Sequence, residues 1–145
     1  MVKMVLAIAA GFIGWSILWV GSDQILRSLS PDWYGAHQYG LETAMFNTTP
    51  FPVDSTILMI SIVRSIVISV MAGFLTAFIA GENRRAPLFL GVILLLFGAV
   101  VQATQWNYIP LWYHVIFLVL LVPMTVLGGR LKTVAADHVP EADPE

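Results

Sequence analysis

The chain has 145 residues, 58% of them hydrophobic and 11% charged, with a formal net charge of −2 and no cysteine. A mean hydropathy of +0.82 excludes an ordinary soluble domain. The missing cysteines exclude disulfides and thiol redox chemistry, and an acidic balance without a basic stripe excludes nucleic acid as a partner.

Four apolar runs, at about 4–21, 56–81, 87–106 and 111–129, organise the sequence. About 20 helical residues, rising about 1.5 Å each, cross a hydrocarbon core of about 30 Å. Backbone polar groups in lipid must be satisfied within their own segment, so the runs are predicted to be helices. Barrel strands would alternate in polarity, and these runs do not. The predicted fold is all-α: an integral membrane bundle of four transmembrane helices over 1–132, with a loop over 22–55. An acidic tail over 133–145 lacks apolar periodicity and is predicted to be disordered.

The first run follows Lys3 and contains Trp15 and Trp19, with a poor cleavage site at Val20-Gly21-Ser22, so it reads as a signal anchor. Ala7, Gly11 and Gly14 give it a small-residue stripe. In the loop, Ser30-Pro31-Asp32 has the pattern of a helix start, with a capping serine, a proline at the first helical position and an acid in the first turn. A short interfacial helix is predicted over roughly 31–46, with Trp33, Tyr34, Tyr39, Leu41, Met45 and Phe46 suited to a water–lipid boundary. Pro50 and Pro52 make the next stretch extended, and Asp54 is placed to cap the second span.

The second run carries Ser61, Ser65, Ser69, Gly73, Ala77 and Gly81 at every fourth position. Small residues at this spacing form a flat ridge that lets another backbone approach closely. The ridge serves either internal packing or a face for another chain. The same run holds Arg64, which costs about 2.5 to 3.5 kcal/mol near the bilayer centre. Thirteen Ile, Leu, Val and Phe residues still favour insertion. The Arg64 charge has three outlets: snorkelling to the head groups, a buried pair with Asp23, Glu42 or Asp54, or an anionic ligand.

The third run ends in Gln102, Gln105 and Trp106, and the fourth begins with Trp112, Tyr113 and His114. Most of these aromatics fit an aromatic belt at the membrane boundary. Gln102 and His114 lie deeper and, with Trp33, Tyr34 and His37 from the first loop, are candidates to line a shallow polar-aromatic pocket suited to a quinone ring, a lipid head group or a small amphiphile. The candidate ligand-binding set is therefore Arg64, Gln102, Trp106, Trp112, His114 and His37. Pro123 is expected to kink the fourth helix and Gly128-Gly129 to end it. Two histidines on separate segments without ligand spacing do not make a metal or haem site.

Lys3, Arg84, Arg85, Arg130 and Lys132 all flank the same ends of the spans, whereas the first loop is acidic and the third uncharged. The positive-inside rule then puts both termini in the cytoplasm. No phosphate loop, hydrolase motif or intramembrane acid is present, so the chain is expected to be non-catalytic and to need no cofactor.

Gln102, Trp106, Pro110-Leu111-Trp112-Tyr113-His114, Phe117, Pro123 and Gly128-Gly129-Arg130-Leu131 resemble the C-terminal half of small bacterial four-span inner-membrane proteins with no assigned activity. Gly11, Trp15, Trp19, Gly21 and the segment 73–81 fit the same resemblance. It implies a bacterial inner membrane. The leading expectation for function is an accessory or assembly subunit, packed against other membrane-protein subunits or against copies of itself. The alternative is a binding or transport module for a small molecule or lipid, using Arg64 and the aromatic-histidine cluster.

Overall fold

A computed structural model of the protein describes residues 1–136. Its elements in chain order are α1 (Val2–Leu29), a π-helical turn (Pro31–Gly35), α2 (Ala36–Asn47), α3 (Ser55–Ala80), α4 (Arg85–Thr104) and α5 (Leu111–Ala136). Four of these, α1, α3, α4 and α5, are long and apolar enough to cross a membrane.

The helices run further than the apolar runs that mark them. α1 continues past the first run to Leu29 because nothing before Pro31 breaks it. The predicted helix at 31–46 divides into the π-helical turn and α2, and Ser30 makes no side-chain cap; its carbonyl accepts the Gly35 N–H at 2.9 Å instead. Thr48, in the left-handed region with φ 53°, ends α2. Asp54 caps α3, its carboxylate accepting the Thr56 N–H at 2.8 Å. The Glu82 carboxylate caps α4 by accepting the N–H groups of Arg84, Arg85 and Ala86.

α5 departs from expectation at its far end. Gly128-Gly129 does not stop the helix, which runs through Pro123 and on to Ala136. The two glycines are contact points. A Cβ on Gly128 would strike the Val70 carbonyl, and one on Gly129 would strike the Pro87 ring. The first four residues of the expected tail are thus helical, and the remainder of that tail lies outside the described residues.

The bundle consists of two antiparallel hairpins, α1 with α3 and α4 with α5, joined along a seam between α3 and α5. The ridge on α3 makes this seam. Lys132 Nζ donates to the Ala77 carbonyl at 3.1 Å, and a Cβ on Gly73 would overlap the Thr125 carbonyl, so backbone rides on backbone. Gly81, the last position of the ridge, is exposed and instead supplies the positive φ of 77° that ends α3. α1 joins the other side of α3 in a regular antiparallel register: Gly11 against Thr76, the Trp15 Nε1–H donating to Ser69 Oγ at 3.3 Å, and Trp19 against Arg64. On the opposite flank α1 and α4 meet far less closely. Their contact includes Gly11 against Leu90, and Phe12 and Trp15 against Phe97 with ring centroids 5.5 and 6.4 Å apart.

Candidate functional site: a polar cavity beneath α2

Beyond the Phe97 contact, toward α2, the hairpins separate and leave a cavity of about 370 Å³. α2 lies across its end with Leu41, Glu42 and Met45 turned inward. The walls are mainly aromatic and aliphatic, from Trp15, Trp19, Phe97, Tyr113 and Phe117. Sites of this size with a few convergent polar groups are the usual form of a small-molecule pocket.

Arg64 is the centre of the polar wall. Its side chain is 10% exposed. One guanidinium nitrogen, Nη1, donates to Asp23 Oδ1 at 3.2 Å and to the Tyr34 hydroxyl at 2.8 Å. Cζ lies 4.3 Å from the centroid of the Trp19 ring, a cation–π distance. Of the three outlets open to this charge, the fold provides the buried pair with Asp23. Arg64 Nε remains without an acceptor.

The pair belongs to a chain of four charges. Asp23 Oδ2 also accepts from Arg27 Nε at 2.8 Å, and Arg27 reaches Glu42 on α2 at 2.7 Å. Tyr34 donates to Asp23 Oδ1 at 2.6 Å. Burial, and then this bond to the carboxylate, push the Tyr34 hydroxyl up to about 12, so it stays protonated and fixed as the donor. Two carboxylates and two guanidiniums close on one another, and the wall carries no net charge from them.

α2 is pinned from the loop side as well. Trp33 Nε1–H donates to Asp54 Oδ2 at 2.7 Å, and His37 Nε2 accepts the Asp54 backbone N–H at 3.1 Å. His37 therefore carries its proton on Nδ1, which is buried without a partner and beside the Phe51 ring at 4.8 Å. Burial lowers the His37 pKa, and the nearby Asp54 carboxylate opposes that shift. Asp54 itself is held below the usual carboxylate range, first by the Trp33 bond and then by the Thr56 N–H.

The predicted site residues divide into two groups. Arg64, Gln102 and His37 line the cavity. His114 lies behind it, 1% exposed, with Nδ1 at 2.6 Å from the Gln102 side chain and Nε2 at 3.1 Å from the Ile109 carbonyl. A neutral imidazole satisfies both contacts when Nε2 donates to Ile109 and the Gln102 amide turns its NH₂ toward Nδ1. His114 is thus a positioning residue that orients Gln102. Trp106 stacks on the far side of His114 at 4.9 Å and is 54% exposed, and Trp112 is also exposed; neither lines the cavity. Trp19, Asp23, Tyr34 and Glu42 complete the site. Asp23 and Glu42 were among the acids considered as partners for Arg64, but nothing in the sequence pairs Tyr34 with α1. Among the described residues, no group of three metal-binding side chains converges.

No family model, no curated protein and no solved structure matches this chain.

Proposed function

We propose that the protein is a non-catalytic binding module of a bacterial inner membrane, with both termini cytoplasmic and α2 on the outer side, and that it holds a small molecule in the cavity beneath α2. Four apolar helices support the membrane reading, and the distribution of basic residues supports the orientation. The observation that carries the binding reading is Arg64. A guanidinium nine-tenths buried, in the wall of a cavity of about 370 Å³, with one nitrogen unpaired, is costly to maintain for packing alone.

The accessory-subunit reading drew on the small-residue ridge. Ser65, Ser69, Gly73 and Ala77 are occupied by this chain's own helices, so a partner would have to dock on an ordinary apolar face. The geometry favours the binding reading over it.

The test is purification from native membranes in mild detergent, with mass spectrometry of retained small molecules and proteins. A small molecule at about one per chain is expected, retained at least about tenfold less by Arg64→Leu. That variant leaves Asp23 paired with Arg27 and Tyr34, so no carboxylate is orphaned. A chain recovered empty in every preparation, or with the same content in the variant, overturns the reading. A larger protein recovered in fixed ratio, with nothing in the cavity, restores the accessory one.

A further inference from the structure

The same cavity defines the class of its ligand and the route by which it enters. This inference rests on the binding reading above and adds the chemistry of the head group and the direction of the tail.

Charge is the first argument. The ionic groups in the cavity wall are Asp23, Arg27, Glu42 and Arg64, and each is already engaged by an opposite charge. An anionic ligand would have to compete with Asp23 for Arg64, and a cationic one would have to draw Glu42 or Asp23 from Arg27. Either ligand has to displace a partner from a partly buried pair and brings a net charge into a wall whose four charges already cancel. An uncharged ligand leaves the chain of charges intact. Its oxygens still find donors, because the Gln105 amide stands in the same wall and Arg64 Nε–H has no other acceptor.

Size and shape give the second argument. At about 30 Å³ for each water-sized group, a cavity of about 370 Å³ holds roughly twelve such groups. A head group and the first few tail carbons fill it, and any longer tail has to leave. Apart from Glu42 on α2, the exposed residues of the lining all lie on α1 and α4, which points to an opening between those two helices. Among the lining residues, Val20 on α1 and Phe97 and Val101 on α4 are 58%, 44% and 39% exposed. Trp15 and Phe97 close the two helices together. Val20 is five positions beyond Trp15, and Val101 four beyond Phe97. That sets both valines about 6 to 7.5 Å further along the helices, on the two lips of the gap. Both lips are apolar and lie on helices long and apolar enough to cross a membrane.

We propose that the ligand is an uncharged, oxygen-bearing amphiphile whose head lies against Arg64, Gln102 and Gln105 and whose tail leaves between α1 and α4 into the surrounding lipid. A glycerol ester and a quinone ring share this chemistry.

The experiment uses the full chain in nanodiscs and a monoacylglycerol with a diazirine in its tail. After illumination, labelled peptides are mapped by mass spectrometry. Labelling is expected at the Val20, Phe97 and Val101 lips, saturable, and at least about tenfold lower in Val101→Trp, which plugs the opening from an exposed position. Val20→Trp plugs the other lip and serves if the first variant is unstable. Competition by 1-oleoylglycerol or by decylubiquinone is expected, and the stronger competitor identifies the head-group source. Stronger competition by oleate or dodecylamine overturns the uncharged class while leaving the cavity reading intact. Labelling that does not saturate and is unchanged in both plugged variants overturns the lateral opening. The retained-molecule measurement with Arg64→Leu reports separately on whether the cavity binds anything.

Discussion

The two flanks of the bundle solve the same packing problem in opposite ways. Along α3–α5, small residues bring the backbones together until Gly73 has no room for a Cβ beside Thr125, and Gly128 none beside Val70. Along α1–α4 the contact is made by side chains, Gly11 against Leu90 and the rings of Phe12 and Trp15 against Phe97, and the cavity opens beyond Phe97. The buried hydroxyls of α3 and α5 carry no charge, and Thr76 and Thr125 return theirs to carbonyls on their own helices. The open flank holds four charges and needs aromatic faces and a covering helix to keep them. Stability comes from the first flank and chemistry from the second.

That contrast is broken most severely by filling the seam. Gly73→Leu forces α3 away from a backbone carbonyl that cannot yield, with an expected cost of about 3 kcal/mol or more. Thermal unfolding in detergent should show loss of the folded species, whereas Val101→Trp on the open flank leaves the transition nearly unmoved.

Removing one charge from the open flank ranks next. Asp23→Ala orphans Arg64 and part of Arg27, at about 3 kcal/mol. In a double-mutant cycle, Arg64→Leu should recover much of this, giving a coupling of about 1 to 3 kcal/mol. Additive effects would mean that the pair does not form. Trp19→Leu takes away the ring over the guanidinium and is expected to cost about 1 kcal/mol beyond the lost apolar contact. The size of that excess measures how dry the cavity is around Arg64.

The smallest effect concerns α2. His37 accepts the Asp54 N–H only while neutral, and its pKa is lower in the folded protein than the ordinary value of 6.5. A histidine with a depressed folded pKa contributes stability that is fully present above pH 6.5 and is lost as pH falls through the folded value. Opening of 36–47 measured by amide exchange should therefore increase as pH falls below 6.5, with exchange in α3 and α5 unchanged. His37→Gln keeps an acceptor without a titration and should flatten this response.

The close flank was far more legible in the sequence than the open one. A four-residue repeat of small side chains is a periodic signal, and it marks one side of α3 before any neighbour is known. Four apolar runs likewise announce four helices, although they understate α1 and α5, whose ends are polar but unbroken. The open flank has no period. Arg64 stands out by its cost, but its partners come from α1 and from the turn before α2, and although Tyr34 is a pocket candidate alongside Trp33, nothing in the 31–46 pattern separates the buried Tyr34 from the exposed Trp33 and Tyr39. The aromatic cluster divides in the same way, with Trp106 and Trp112 exposed outside the cavity and His114 engaged by Gln102 and Ile109. Gly128-Gly129 shows the same limit. Glycine pairs mark both helix ends and close crossings, and only the neighbour decides which.

The order of the charges along the chain has a bearing on how the protein is made. Asp23 and Trp19 precede Arg64, with Asp23 leading by 41 residues. At synthesis rates of about 5 to 20 residues per second, they reach the membrane roughly 2 to 8 s earlier. The arginine thus enters the bilayer after its counter-ion and its aromatic cover are already there, and the nascent first span acts as a template for the second. Moving Asp23 onto α5 would keep the finished inventory of charges but leave Arg64 exposed to lipid during synthesis, so this chain's vectorial order is part of its design.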